Sequence, residues 1–489
     1  MTINDLPDIR NVKGLDEAEL HTINALMGTW WRKRARNSLR NRYYDSHNVL
    51  KDLGISIPPR LRQIEMYIGW PAKAVDYLAD RAVLEGFTFD GVDKNETLDA
   101  VLEANDFLSA YPQAETDALT SSFSLLAVTK GGINEPDVIV SAHSARDSSA
   151  IWDHRLNRVQ SALVVADVRR APNGQVAGPS LINVFTRDEV ITLGWRRNGR
   201  WVLEARQSHA QGQPLVEAIR YAPKLGRPLG RSRISRAVMA LTDSAVREAL
   251  RSEISAEFFT APQKYILGAD DSVFDDKPRW EAYLGCWMVL TSDGDVNPEV
   301  GQLPQGSMQP HADYERQLAA KFSGETSIPV SSLGVIHDNP SSAEAIYAER
   351  EDIVVKAQNF NRDNRSALKR LGKLMVAVAE NTTMDALPVE VDSIEPRFMN
   401  PSLPSVASRT DAVVKQVSAV PEFANSRVFW EQLGYDDAQI ARIQSDIRRA
   451  KAQDALTAMF QKQDADRKEL GDDGDSAAPA GLPGPVERS

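Results

Sequence analysis

Apolar positions follow two rhythms along the chain. From about residue 120 to 205 they come in short blocks, "SLLAVTKGG", "DVIVSAH", "ALVVADVRR" and "LINVFTRDEVITLGWRRNGRWVLEA". Blocks of this kind, parted by Gly, Asn and Pro, predict β-strands. Asn198-Gly199 lies between Ile191–Trp195 and Trp201–Leu203 and marks a hairpin, because both residues tolerate positive φ. "RAPNGQVAGP" reads as a polar loop between strands.

Elsewhere the spacing is helical. Residues 15–47 predict a helix centred on "WWRKRARNSLRNRYY". Within 53–87, Ile64, Ile68, Val75, Leu78 and Ala82 keep helical spacing; Pro71 should kink or split that helix and Gly86 should stop it. The clearest helix is "RSRISRAVMALTDSAVREALRSEISAEFFTA", where Ile234, Val238, Leu241, Ala245, Ala249, Ile254 and Phe258 recur every three to five residues. From Ser235 to Ala261 it would span about 40 Å, and Pro262 ends it. A second helix covers about 311–324, with Tyr314, Leu318 and Phe322 on one side. A long one covers about 341–380 with a stripe of Ile346, Ile353, Ala357, Phe360, Leu368, Leu371 and Met375. It opens either on the capping box Ser341-x-x-Glu344 or on Asn339, with Pro340 then at the first helical position. Shorter helices are expected at 405–418 and 422–462.

Three stretches keep neither rhythm. Residues 262–310 are rich in Asp, Gly and Pro and read as a small compact module between two helices. "SIPVSSLGVIHDNPSSAEAIYAERED" places Pro329, Gly334 and Asp338-Asn339-Pro340 in a stiff, serine-rich elbow. The tail "DADRKELGDDGDSAAPAGLPGPVERS" is polar and reads as disordered.

A chain of 489 residues exceeds one ordinary core, so several domains or one multi-part subunit are expected. A hydrophobic share of 42% and a charged share of 26% are ordinary for a soluble protein. The net charge of -11 argues against coating nucleic acid by bulk charge, yet allows a protein that guides DNA without gripping it. The single cysteine, Cys286, excludes an intrachain disulfide and a cysteine zinc site, and fits a reducing cytoplasm. "MTINDLPDIRNVKG" has no apolar h-region, so no signal peptide is expected. No run of about 18 apolar residues predicts a membrane span.

The chemistry of a catalyst is missing from the pattern. The histidines, His21, His47, His143, His154, His209, His311 and His337, form no HExxH motif or tight pair. No GxxxxGK[ST] or GxSxG sequence occurs. "DGDVNP" from Asp293 imitates a calcium loop, but Pro298 stands where glycine is needed and Pro304 where glutamate is needed. No catalytic residue, metal or cofactor is therefore expected. Two basic stretches stand out. Arg32, Lys33, Arg34, Arg36, Arg40 and Arg42, interleaved with Trp30, Trp31, Tyr43 and Tyr44, fit either a phosphate contact or a solvated helix face. Arg227, Arg231, Arg233 and Arg236 precede a long helix whose dipole they oppose. They need a compensating partner: DNA phosphate, a neighbouring subunit's carboxylate, or local acids.

The order of elements, together with "YYDSHNVLKDLGISIPPRLRQIEMYIGWPAKAVDYLADR", "PLGRSRISRAVMALTDSAVREALRSEISAEFF" and the stretch from "YLGCWMVLTSDGDVNP" to "AEAIYAERED", resembles the gp6-like portal proteins of tailed bacteriophages, of the kind found in siphoviruses of actinobacterial hosts. The resemblance covers about residues 20–460. One departure is Ser46, where such proteins commonly carry glycine after "YYD", which puts the local turn in doubt.

The resemblance implies an α+β, multi-part portal fold. Its parts would be a mixed α/β wing (1–234), a stem helix (235–261), a small α/β clip (262–308) and a second stem helix (309–330). A tunnel loop (331–342), a long helix returning to the wing (343–400), a helical crown (401–462) and a disordered tail (463–489) would follow. It implies a homo-oligomer, usually a dodecamer, at one capsid vertex of the virion, assembled in the host cytoplasm. Double-stranded DNA would pass through its channel during packaging and ejection. Implied partners are the terminase large subunit, the head-tail connector or adaptor, and the major capsid and scaffolding proteins, with no membrane. Ser331, Ser332, His337, Asp338, Asn339, Ser341 and Ser342 of the elbow, with Lys321 and Arg316, become candidates to face DNA. Trp280, Tyr283 and Trp287 become candidates to dock partners, and Arg231, Arg233 and Arg236 to contact a neighbouring subunit. The alternatives are another virion structural protein, such as a connector or minor head protein, and a metal-dependent nuclease using the Asp clusters.

Overall fold

The computed structural model describes residues 9–47, 66–90, 95–174, 176–260, 264–267, 299–302, 306–334, 343–402, 406–435 and 437–469. The chain divides into two units, Met1–Ser402 and Leu403–Ser489. In the first unit α1 is Glu17–Tyr44, α2 Trp70–Ala79, β1 Leu84–Thr88, α3 Glu96–Ala104 and α4 Phe107–Ser121. Then come β2 Phe123–Lys130, β3 Val138–Ser144, β4 Ser148–Asp153, β5 Arg158–Arg170, β6 Val176–Phe185, β7 Glu189–Trp195, β8 Trp201–Ser208 and β9 Val216–Arg220. Helix α5 is Arg236–Thr260, β10 Lys264–Leu267, β11 Glu299–Gln302 and α6 Gln309–Thr326. A 3-10 turn at Val330–Leu333, α7 Ala343–Ala379, a second 3-10 turn at Met384–Ala386, α8 Val389–Asp392 and β12 Glu395–Phe398 follow.

Helix α1 begins at a capping box. Asp16 accepts the Glu19 N–H and the Glu19 carboxylate accepts the Asp16 N–H, which satisfies two otherwise orphaned donors. Ile23, Leu26, Met27 and Trp30 share one face and lie on the antiparallel sheet β4-β5-β6-β7-β8, against Leu163, Ile182, Val184, Ile191 and Leu193. Trp30 Nε1 donates to Arg146 O at 2.7 Å, which fixes how far along the sheet the helix sits.

The far end of α1 resolves the departure at Ser46. Ser46 N–H bonds Tyr43 O, and His47 N–H bonds Arg42 O. This is the paired cap in which the residue just past the helix turns left-handed, usually a glycine. Ser46 adopts φ +56, so the turn forms without the glycine.

Besides the five-stranded sheet and the β10–β11 pair, two further sheets occur among the described residues. Strands β3-β2-β9 form one, antiparallel throughout, and β1 pairs with β12 across more than 300 residues of chain. That second pairing corrects the reading of Gly86 as a helix stop. Helix α2 ends before Asp80, and Gly86 lies inside β1 at an irregularity of register with φ +147. Pro71 stands in the first turn of α2 and starts it, where its missing N–H costs nothing. The expected hairpin forms: Trp195 faces Trp201, and only Gly199 of the Asn-Gly pair takes positive φ, at +81. The polar loop at 170–179 is shorter than expected, because β6 begins at Val176. Helices α3 and α4 carry no counterpart in the sequence reading.

Helix α7, 37 residues and about 55 Å long, lays Ile353, Ala357, Phe360, Leu368, Leu371 and Met375 into the main core. A polar pin fixes its register. The fully buried Asn364 accepts the Arg220 N–H at 2.8 Å and donates to Arg220 O at 3.1 Å. One turn and a half further on, Arg370 forks onto both oxygens of the buried Glu217 at 2.7 and 2.8 Å.

In the second unit α9 is Val406–Ala419, α10 Arg427–Leu433 and α11 Asp437–Glu469. Gly434, at φ +96, closes α10, so the helix expected over 422–462 is broken there. Helix α11 continues to Glu469, past the point where the disordered tail was expected to begin at 463.

Two substitutions test these local arguments. Ser46→Gly relieves the left-handed strain and should raise stability by about 1 kcal/mol, read as a higher urea midpoint; a fall would show that the side chain earns its place. Asn364→Ala leaves the Arg220 backbone groups unpaired in the core and should cost about 1–3 kcal/mol in the same measurement, whereas an unchanged midpoint would remove the pin from the account.

Candidate interaction surfaces on the long helices and elbow

Helices α5 and α6 run antiparallel, joined at both ends by polar contacts. At one end Ser235, just before α5, donates to Glu325 at 3.0 Å. At the other, His311 Nδ1 meets the Glu248 carboxylate at 2.6 Å while its Nε2 meets Ser255 Oγ at 3.0 Å. Glu248 and Ser255 lie seven residues apart, two turns along the same face of α5, so one imidazole reaches both. Arg251 also approaches Glu248, at 3.7 Å. Between the ends, Val238, Ala245, Val246 and Leu250 of α5 and Leu318, Ala319 and Phe322 of α6 are buried. Phe322 continues onto Trp70 of α2, ring centres 4.9 Å apart.

A serine, a histidine and a carboxylate in a row are the residue set of a hydrolytic triad. Here Ser255 lies inside α5, whose backbone N–H groups are spent within the helix and so are not free to hold an oxyanion beside it. The row acts as a clasp between helices. Among the described residues no group of three or more His, Cys, Asp or Glu side chains is placed to hold a metal ion.

Arg233 is placed differently from its neighbours. It is 5% exposed and ties three elements of its own chain together. Its guanidinium donates to Ala74 O in α2, to Tyr221 Oη at 3.1 Å and to Thr326 O at the end of α6 at 2.7 Å. Burial pulls its pKa below the ordinary arginine value. The expectation that Arg233 meets a neighbouring subunit therefore gives way to an internal strut. Arg231 and Arg236 remain exposed.

Thr326 ends α6, and Ser327 turns left-handed at φ +58 with Lys356 Nζ on its hydroxyl at 2.7 Å. Ile328 and Leu333 enter the core, so the near half of the elbow is docked. Ser331 Oγ lies 3.3 Å from a Glu349 carboxylate oxygen and Ser332 Oγ 3.4 Å from Tyr77 Oη. Gly334 takes φ +88, a conformation open to it without a Cβ clash. His337, Asp338, Asn339, Ser341 and Ser342 lie outside the described residues, as do Trp280, Tyr283 and Trp287. Of the module at 262–308, the described part includes the antiparallel pair β10–β11, with Tyr265 and Leu267 exposed.

Arg316 and Lys321 are both exposed on α6. Five residues separate them, which turns them about 140° apart around the axis, so they flank the exposed face from opposite sides. Arg316 is 3.6 Å from Asp313, both about half exposed, and such a contact contributes little. The clasp was missed from sequence because His311 was read alone; the signal was a Glu and a Ser at seven-residue spacing on one predicted helix.

The family profile described as "Phage portal protein, SPP1 Gp6-like" matches residues 24–453. A portal protein of Mycobacterium phage L5 is 24% identical over 383 residues, 76% of this chain and 77% of that one. A portal protein of Mycobacterium phage D29 is 24% identical over 386 residues, with the same shares covered. A chain from the neck of an empty GTA particle matches at a TM-score of 0.43 and 13% identity, covering 75% of this chain and 90% of that one.

The clasp can be tested by a double-mutant cycle on Glu248→Gln and His311→Phe. Their coupling should be about 1–2 kcal/mol in urea unfolding; additive effects would show that the two side chains act independently.

Proposed function

This chain belongs to the SPP1 Gp6-like phage portal protein family, and from that premise we propose that it works as one of many identical subunits, twelve by the family's habit, closing a ring at one capsid vertex. Double-stranded DNA is packaged and ejected through the bore. The family match over residues 24–453 carries the reading. The role is structural: the helix pair, the elbow and α7 form a scaffold, and the work of moving DNA falls to a partner that hydrolyses nucleotide.

In this reading the α/β region to 234 is the wing, α5 and α6 are the stem, and residues 262–308 are the clip. The elbow is the tunnel loop and the second unit the crown. A channel for DNA must not hold it, because each phosphate contact releases counterions and so adheres. A chain of net charge -11 meets that requirement. Arg316 and Lys321 are proposed as isolated basic positions along the bore, and Ser331, Ser332, His337, Asp338, Asn339, Ser341 and Ser342 as its small polar contacts. Trp280, Tyr283 and Trp287 are proposed to dock the terminase large subunit and later the head-tail connector, since aromatic anchors suit such interfaces. Arg231 and Arg236 are proposed to meet a neighbouring subunit. Major capsid and scaffolding proteins would surround the wing, with assembly in the host cytoplasm.

Native mass measurement and negative-stain imaging of the purified chain should find rings many times heavier than the 54.1 kDa subunit. A persistent monomer under every assembly condition, with virions filling normally in its absence, would sink the reading.

A further inference from the structure

Helix α1 carries a basic face built from residues other than those proposed above to line the bore. Arg32, Arg36 and Arg40 recur every four residues on α1, about 6 Å apart along its axis. Lys33 lies beside them, and no Asp or Glu occurs between Arg32 and Arg42. The loop after β9 brings a further cation. Tyr221 N–H bonds Ser122 O at the end of α4, and the loop closes on itself through Lys224 and Arg227. Arg40 Nη1 donates to Ser121 O at 3.0 Å, on that same helix end. Arg227 therefore comes within electrostatic reach of both Lys33 and Arg40.

The cations reinforce one another. Burial, then Arg36, Arg32, Arg227 and Arg40, pull the Lys33 pKa below its ordinary value. Burial, then Arg36 and Arg227, pull Arg40 down to about 10. Among the described residues, no carboxylate is among the principal groups acting on either cation. Among the described residues none of Arg32, Lys33, Arg36 and Arg227 forms an ion pair, although Arg32 donates to the Thr29 hydroxyl at 3.3 Å. Arg32, Lys33, Arg36 and Arg227 are exposed. On a chain with 68 acidic and 57 basic side chains, this many cations in one place without a carboxylate partner make a local reversal of sign that an external polyanion would complement.

We propose that Arg32, Lys33, Arg36 and Arg227, backed by Arg40, form a site for the phosphate backbone of duplex DNA, separate from the bore. The choice of DNA rests on the portal reading above, since DNA is the polyanion that such a particle handles. Guanidinium forks match phosphate oxygens in pairs, and a row of them without interleaved acids is a backbone-reading surface without base specificity. The acidic face of a second copy is the competing occupant.

Closed circular duplex DNA separates the two sites, because it has no end to thread through a bore. The assembled protein should bind closed circles of unrelated sequence alike, with affinity falling about 100-fold between 50 and 200 mM salt. Arg32→Gln/Lys33→Gln/Arg36→Gln/Arg227→Gln should weaken that binding at least about 10-fold and lower the salt slope by about 3, with the assembled mass unchanged. Arg32→Lys/Arg36→Lys/Arg227→Lys, which keeps the charge, should retain most of the affinity. Closed-circle binding that is absent, or untouched by the four neutral substitutions, overturns the proposal. So does loss of assembly with DNA binding intact, which would assign the face to contact between copies. Absence of rings with closed-circle binding preserved would sink the portal reading and leave this site standing.

Discussion

A guanidinium taken out of water must find its hydrogen-bond acceptors inside the protein, and Arg233 is where that constraint falls hardest. Its acceptors come from α2, from Tyr221 after β9 and from the last turn of α6. The start of α5 and the end of α6 are thereby held within reach of one side chain. The Glu248–His311–Ser255 clasp closes the opposite end of the pair. Two helices joined at both ends resist sliding past each other more than apolar packing alone would allow, because each polar group loses its partner if the register slips. The elbow inherits that rigidity, since it starts at the very carbonyl that Arg233 holds.

That origin shapes what the elbow can do. Ile328 and Leu333 anchor its near half, and Ser331 and Ser332 already have partners. At 3.3 and 3.4 Å these contacts are longer than ordinary hydroxyl hydrogen bonds and correspondingly weak. Exchanging one for a passing phosphate or water costs little. A loop that lines a conduit under the portal reading needs that property: polar groups that are satisfied when nothing is there and only weakly better satisfied when something is. A row of unpaired cations at the same place would retain DNA instead.

What the sequence shows and hides follows from the range of the interactions. Helices α5 and α7 were legible because their cores are written as apolar stripes, and the strands between about 120 and 205 because their apolar blocks are short and parted by turn residues. Gly199 was legible because a two-stranded turn is a local event. Gly86 misled because its strand pairs with β12 more than 300 residues later, and no local pattern encodes a partner so distant. Helix α4 was passed over with Pro112 in its interior, a residue that normally argues against a helix. The arginines at 227, 231, 233 and 236 look alike in sequence. Only the arrival of α2 and α6 over Arg233 separates the buried one from the exposed ones. For the clasp, two residues seven apart were visible, but their meeting with His311 depended on the antiparallel docking of α6.

The charge of the chain sets a problem that its geometry helps to solve. Copies that each carry -11 repel when brought side by side, and closing a ring brings every copy against two others. Close contact then needs places where the local sign is reversed. Exposed Arg231 and Arg236 lie at the N-terminal end of α5, where the helix dipole is also positive. A carboxylate from a neighbouring copy would meet charge and dipole together there, while Arg233, satisfied inside its own chain, holds the helix end still. The basic face of α1 reverses the sign as well, but over a longer row and with no acids between. Its shape suits a polymer of regularly spaced anions better than the scattered carboxylates of a protein surface. Under the portal reading and the proposal for α1, one acidic chain would repel DNA along a bore, attract its own copies at a helix end, and hold a nucleic-acid backbone elsewhere, because what matters at each contact is the local arrangement of charge and not its sum.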